Sequence, residues 1–241
     1  MQTLFISDLH LSANTPQITK NYLALLQTEG VKSQAIYILG DFFEYWLGDD
    51  GITAEHQAVL SPLNQLSEQG IALYFMHGNR DFLIADEFAR QTGCELLRDP
   101  TTIDLYGTPT LLMHGDLLCS DDKEYLAFRE QVRNPDWQRQ FLSLDMNARI
   151  EMAKQARDAS QSAMQNKADE IMDVNQRTVE QTMRDAGVQQ LIHGHTHRPA
   201  IHQFQLGSEN YKRIVLGDWG EMPSYLIVTP EGSSLHDPRV S

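Results

Sequence analysis

Short apolar runs that end in polar or glycine-containing turns recur along the first half of the chain, at residues 3–6, 35–39, 71–76 and 110–113, and again at 190–192. Runs of this length, bounded by Gly, Asp and Asn, predict buried strands. Between the early runs, apolar positions take helical spacing over residues 16–29, 53–69 and 82–92. Gly30, Gly70 and Gly93 stand just beyond these segments, where helix stops belong. After residue 198 the pattern changes, and residues 200–205, 211–216, 224–229 and 233–236 predict short strands joined by turns. Strands alternating with helices first, and antiparallel strands last, predict an α/β protein. The expected architecture is a four-layer α-β-β-α sandwich of two mixed sheets.

Residues 120–186 break this rhythm. They hold no strand-like run and are rich in Ala, Gln, Met and charged residues, which favour helix. Residues from about 120 to 170 predict a helical insertion capping the strand ends, and about 174–186 a helix returning to the sheet. Tyr125, Phe128 and Val132, then Trp137, Phe141 and Leu144, make two apolar stripes at helical spacing. Such stripes either pack on the body of the protein or line a slot for an apolar ligand. With no repeat, low-complexity tract or linker, a single domain over 1–241 is expected.

Composition narrows the possibilities. The chain has 241 residues, 41% of them apolar, enough for one substantial core. Its formal charge of −14 disfavours contact with bare nucleic acid phosphates. No nucleic acid is expected as a partner, and nothing in the pattern requires a protein partner. Cys94 and Cys119 show neither disulfide nor metal spacing, which fits small core residues in a reducing compartment. The first strand begins at Thr3, which leaves no room for a signal peptide, and no apolar run approaches the ~18–20 residues of a membrane span. A cytoplasmic protein is expected. Charge is uneven, however. Between Lys123 and Lys167 stand eight basic and six acidic residues, so the insertion carries a small positive excess on an acidic chain.

The chemistry sits at the ends of the predicted strands, where α/β proteins build their sites. Asp8 and His10 follow the first run, Asp41 the second, Asn79 the third and His114 the fourth. His195 and His197 follow the fifth. At period two, Asp8 and His10 would project to one side of an extended strand, as would His195 and His197. Four imidazoles, two carboxylates and one amide oxygen form a mixed donor set suited to Mn, Fe or Zn, with no thiolate to mark a structural zinc site. Two divalent cations so held would acidify a water and clamp both oxygens of an in-line displacement at phosphorus. The other histidines, His56, His77, His193, His202 and His236, read as ordinary core or surface residues. Trp46, just past Asp41, is either a wall of the same site or a core residue.

The ordered set Asp-x-His, Gly-Asp, Gly-Asn-x-Asp, His-Gly and Gly-His-Thr-His resembles the calcineurin-like metallophosphoesterase superfamily over nearly the whole chain. Longer strings are similar to one family within it, the UDP-2,3-diacylglucosamine hydrolases of lipid A biosynthesis. These are FISDLHL at 5–11, YILGDFFEYW at 37–46, HGNRDFL at 77–83, MHGDLLC at 113–119, IMDVNQ at 171–176 and HGHTHRP at 193–199. The resemblance implies that Asp8, His10, Asp41 and His197 hold one ion. Asp41, Asn79, His114 and His195 would hold the other, with Asp41 bridging and Mn2+ the usual metal. It places Asp41, Asn79, Arg80 and His114 in the catalytic set and substrate contacts at Asn79, Arg80, Asp122, Ser160, Lys167 and His195. Position 164, where Asn is expected, is Met164, so any contact there would be apolar or through the main chain.

The implied reaction is water attack at the α-phosphorus of UDP-2,3-diacylglucosamine, giving UMP and 2,3-diacylglucosamine 1-phosphate (lipid X). Many members of the superfamily carry His where this chain has Arg80. A guanidinium stays protonated and cannot act as a general acid, but it can clamp phosphate oxygens. That favours a leaving group that is itself a phosphate. Acyl chains suit an apolar slot in the insertion, and basic residues there would suit peripheral binding to the anionic cytoplasmic face of the inner membrane. A soluble phosphodiesterase or nucleotide pyrophosphatase is the competing expectation. A non-catalytic scaffold is a third, disfavoured because all seven ligands are present.

Overall fold

The structure, a computed structural model, describes residues 1–165 and 173–240, with side chains through Asp158 and again from Asp173. In the first sheet, β1 (Thr3–Ile6), β2 (Ala35–Ile38), β3 (Ala72–Met76) and β4 (Cys94–Leu97) run parallel. Later in the chain, β10 (Tyr225–Thr229) joins β1 antiparallel and β11 (Gly232–His236) completes the edge. The second sheet contains β5 (Thr101–Leu105), β6 (Thr108–Met113), β7 (Gln190–His193), β8 (Ala200–Leu206) and β9 (Glu209–Val215), in the order β5-β6-β7-β9-β8. There β6, β7 and β9 are parallel, while β5 and β8 pair antiparallel at the edges. Both sheets are therefore mixed.

The layering follows from alternation along each strand. Leu4 and Ile6 face one way, into a core with α1 (Pro16–Thr28), α2 (Ala54–Glu68) and α3 (Asp86–Thr92). Phe5 between them faces the other way and meets Leu112, Ile192 and Ile214 of the second sheet. On the far side of that sheet, Leu111, Met113 and Leu191 pack on Val179 and Met183 of α7 (Gln176–Asp185). Three apolar interfaces separate four layers, as the period-two pattern requires. Cys94 and Cys119 are both buried.

Several local expectations are corrected. β4 and β5 have no counterpart in the sequence reading. Both are edge strands with part of their length exposed, so their sequences, CELL and TTIDL, lack a continuous apolar run. The third helix begins at Asp86 rather than 82. Phe82 and Leu83 lie in a turn, and Asp49 from the loop after β2 accepts hydrogen bonds from the Ala85 and Phe88 amides, supplying the helix cap from a distant segment. Gly70 and Gly93 take positive φ as helix stops do, whereas Gly30 does not; it opens a single turn of 3-10 helix.

The stretch between β6 and α7 contains α4 (Lys123–Arg133), α5 (Pro135–Leu142) and α6 (Met146–Gln165). Asp122 caps α4 through the Tyr125 amide, and Asn134 caps α5 with Pro135 at its first position. The apolar stripes divide. Val132 and Phe141 are buried, and Trp137 stacks on Phe141 at 5.1 Å between ring centroids. Phe128 stays exposed, and Leu144 falls beyond the end of α5, also exposed. Arg149 of α6 is buried and ties this stretch to the body. It donates to the Leu47, Leu142 and Leu144 carbonyls and forms a two-pronged pair with Asp50.

Candidate metal centre

All seven ligand candidates lie past the carboxyl ends of β1, β2, β3, β6 and β7. The main chain there is not extended. Asp8, His10, Asp41, His195 and His197 all have φ between 50° and 68°. Left-handed backbone is unfavourable for residues with a Cβ, and it clusters where function demands an awkward side-chain direction. The period-two expectation is thus corrected: the two Asp/His and His/His pairs converge because the chain coils at each strand end. Backbone hydrogen bonds zip the coils together, from the Asp8 amide to the Gly40 carbonyl and from His10 to Asp41.

Glycines let these coils touch. A Cβ on Gly78 would collide with the backbone nitrogen and carboxylate of Asp41, and one on Gly194 would collide with Ser7 and the Asp8 carboxylate. Asp81, fully buried, accepts from the Phe42 and Gly78 amides at 2.7 and 2.8 Å and fastens the Asp41 loop to the Asn79 loop.

Two groups of donors result. Asp8, His10 and His197 form one, and Asp41, His114 and His195 the other, each with its ligand atoms within 4.8 Å of one another. Asn79 Oδ1 joins the second group, 2.9 Å from both His114 Nε2 and His195 Nδ1. Asp41 faces both groups, with its oxygens 4.0 Å from His10 Nε2 and 3.7 Å from His114 Nε2. Outer partners orient the rings. The Leu39 carbonyl takes His114 Nδ1 at 2.9 Å, Asp218 faces His197 at 3.6 Å, and Glu44 faces His10 at 3.6 Å.

The electrostatics fit a pair of cations. Burial pushes the Asp41 carboxyl up to about 7, with Asp81 and Asp8 adding repulsion against the attraction of His114. Burial would lower His114, but Asp41, Asp116 and Asp8 outweigh it and raise the imidazole to about 9. Burial also opposes ionisation of Asp8, yet His197, His114 and His10 hold its carboxyl well below the usual range. His10 and His195 drop to about 4, chiefly through burial, and so present lone pairs at neutral pH. His10 Nε2 and His197 Nε2 stand only 3.3 Å apart, and His10 Nδ1 is buried without a hydrogen-bond partner. Convergent lone pairs around carboxylates are the donor chemistry that borderline divalent ions satisfy.

The remaining site expectations fall in different places. Arg80 reaches toward Glu44 at 4.0 Å, its backbone N–H donates to Asp41 at 2.8 Å, and its Nε is buried with no partner. Asp122 is the α4 cap. Ser160 and Met164 have side chains outside the described residues, and Lys167 lies wholly outside them, as do the first two residues of the 171–176 string. Trp46 resolves as a core residue, packed on Phe43 and Phe88 and donating to Asp49 at 2.8 Å. His193 is buried behind the site, with burial driving its imidazole down to about 3.

Asp116, the last residue of the His-Gly-Asp motif, had no assigned role in the sequence. It is fully buried and accepts from Tyr125 Oη and Arg129 Nε, both at 2.6 Å, joining α4 to the loop that carries His114. Tyr125 in turn lies with its ring 6.0 Å from that of His195. Asp81 and Asp116 both belong to motifs visible in the sequence. Glu44 lies in the 37–46 string and Asp218 in no motif; the part each takes is found only through the fold.

The profile of the calcineurin-like phosphoesterase family matches residues 1–199, and the chain belongs to that family. Its relatives are more specific. It is 48% identical over 240 residues to the UDP-2,3-diacylglucosamine hydrolase of Nitrosococcus oceani, covering 100% of this chain and 96% of that one. Proteins of the same name from Xanthomonas axonopodis pv. citri and Cellvibrio japonicus are 49% and 48% identical, covering 98% of this chain and 98% and 99% of theirs.

Proposed function

We propose that the chain hydrolyses UDP-2,3-diacylglucosamine at the α-phosphorus, yielding UMP and 2,3-diacylglucosamine 1-phosphate, with two divalent metals, Mn2+ by preference. The observation that carries this is the pair of donor groups with Asp41 between them, set beside the unpartnered Arg80 Nε, in a chain of full-length similarity to hydrolases of that name. Asp8, His10, Asp41 and His197 would hold one ion, and Asp41, Asn79, His114 and His195 the other. When bound, the ions would lower the pKa of a water and neutralise charge gathering on the phosphoryl oxygens.

The protein's own groups do the rest. Asp41 and Asn79 fix the spacing of the two halves, and the Leu39 carbonyl, Asp218 and Glu44 orient the imidazoles. Arg80 offers a donor fork to the diphosphate and strengthens the departure of the sugar phosphate, whose low basicity removes the need for a general acid. Asp122, Ser160, Met164, Lys167 and His195 remain proposed substrate neighbours. Incubation of the Mn2+-loaded protein with the lipid substrate in 18O water tests the assignment. Label in UMP supports attack at the α-phosphorus; label in the sugar phosphate, or no UMP at all, overturns it.

We also propose that the protein works at a membrane surface, held there more by apolar contact than by charge. Phe128, Leu142, Leu144, Ile150 and Met152 are all exposed on α4 to α6 and the turn between α5 and α6. Arg129, Arg149 and Arg157 are already engaged with Asp116, Asp50 and Glu44. Among the described residues no helix is long and apolar enough to cross a membrane. Flotation with anionic vesicles that persists in ~0.5 M salt supports apolar contact; complete release would assign the attachment to charge instead.

A further inference from the structure

A cavity of about 330 Å³ opens beside His197 on the β8 side of the site. Its polar lining comes from Asp173, Thr196, Arg198, His202, Arg213 and Arg239. Arg198 is paired with Asp173 at 2.6 Å, and Arg239 with Asp218 and Asp237. Arg213 differs. It is only 6% exposed, and no carboxylate among the described residues lies within ion-pair distance of it. Its Nη1 meets His193 Nε2 at 3.2 Å, consistent with a neutral imidazole whose Nδ1–H donates to the Gly194 carbonyl. Its Nε is buried and unpartnered, and so is Thr196 Oγ1 on the same lining. Buried donors left unmet cost free energy, and native proteins pair them with a ligand group or an ordered water.

We propose that this pocket seats the nucleoside end of the substrate, with the uracil carbonyl oxygens accepting from Arg213 Nε–H and Thr196 Oγ1–H. The inference rests on the hydrolase function proposed above. His197 lines both the pocket and the first donor group, so a nucleotide whose phosphorus sits at the metals can extend its ribose and base into this space. The Asp173 carboxylate offers an acceptor for the uracil N3–H or a ribose hydroxyl. An acyl chain does not fit this chemistry, because it would leave both donors unmet and desolvate the charged groups. Exposed Phe128, Leu142, Ile150 and Met152 lie on α4 to α6, which also reach the site through Tyr125 and Arg157. The two ends of the substrate thus have two chemically distinct directions in which to leave the metals.

The test compares UMP with ribose 5-phosphate, which keeps the phosphate and sugar but lacks the base, by calorimetric titration of the Mn2+-loaded protein. The expected result is UMP binding at least tenfold tighter. Arg213→Met and the pocket-filling Ala200→Trp are each expected to reduce that preference to threefold or less. If Arg213→Met fails to fold by circular dichroism, Ala200→Trp on the partly exposed strand decides alone. Equal binding of the two ligands by wild type overturns the proposal and leaves the donors to water, as does full UMP preference in every folded variant. A base-selective pocket in a protein that releases no UMP from the lipid substrate would sink the proposed reaction and keep the subsite. Release of UMP without base selectivity would do the reverse.

Discussion

At the scale of single residues, the metal centre depends on side chains that a donor inventory does not name. Gly194 is one. Its replacement by Ala would push a Cβ into Ser7 and the Asp8 carboxylate. Gly194→Ala is expected to fold yet to lose Mn2+ affinity by roughly 10- to 100-fold, the usual effect of disturbing a ligand's support; calorimetric titration measures it, and unchanged affinity would refute the packing argument. Arg80→Lys keeps the charge and loses the fork. A fall in kcat/KM of about tenfold or more is expected, with metal content unchanged.

The Asp41 and His114 side chains give a pH prediction. As an interacting pair without cations they retain roughly one proton near neutrality, since burial raises the Asp41 carboxyl to about 7 and the surrounding carboxylates raise His114 to about 9. Cations require both deprotonated, so the proton must leave on binding. Affinity should therefore rise between pH 6 and 9, with about one proton released per protein at pH 7.5. Titrations in two buffers of different ionisation enthalpy count it. A flat profile with no release would contradict the assigned charge states.

At the scale of elements, buried polar ties join α4 to α6 to the body, beside the contact that Phe141 and Trp137 make with its core. Asp116 grips Tyr125 and Arg129, and Arg149 grips three carbonyls and Asp50. Arg149→Met leaves those carbonyls unmet, and a loss of about 2 kcal/mol is expected from urea unfolding, less than for a fully buried pair because Asp50 is exposed. Amide exchange should speed up in α6 before it does in β1 or β2. Helical character was legible in the composition of this stretch, and its α4 and α5 caps are ordinary Asp and Asn. The attachment was not legible, because Arg149 and Asp50 are 99 residues apart. The edge strands β4 and β5 escaped for a related reason: half-exposed strands lack the apolar runs by which buried ones are recognised.

For the whole molecule, the acidic charge and the buried carboxylates at the site make bound cations part of its stability. Ions present at ~100 times their dissociation constant contribute about 2.7 kcal/mol per site. With both sites emptied, in a chain of this length, that corresponds to a melting temperature roughly 10–20 °C lower in EDTA than in Mn2+. Equal melting in the two conditions would mean that the donor groups do not bind tightly.

The sequence by itself determined that there are two mixed sheets and set seven donor candidates at strand ends, because strand period and strand-end position are local properties; the parallel pairing of β9 with β7 and the antiparallel β5–β6 pair are not read from it. It also placed a guanidinium, Arg80, beside Asn79, a matter of residue type alone. Tertiary structure decided what depends on segments far apart in the chain. The left-handed turns that aim Asp8, His10, Asp41, His195 and His197 are held by hydrogen bonds between loops and by glycines fitting against carboxylates. The orienting roles of Glu44, Asp81, Asp116 and Asp218 exist only after those loops meet. So does the pocket beside His197, lined by Arg213 from β9 and Thr196 from the loop after β7.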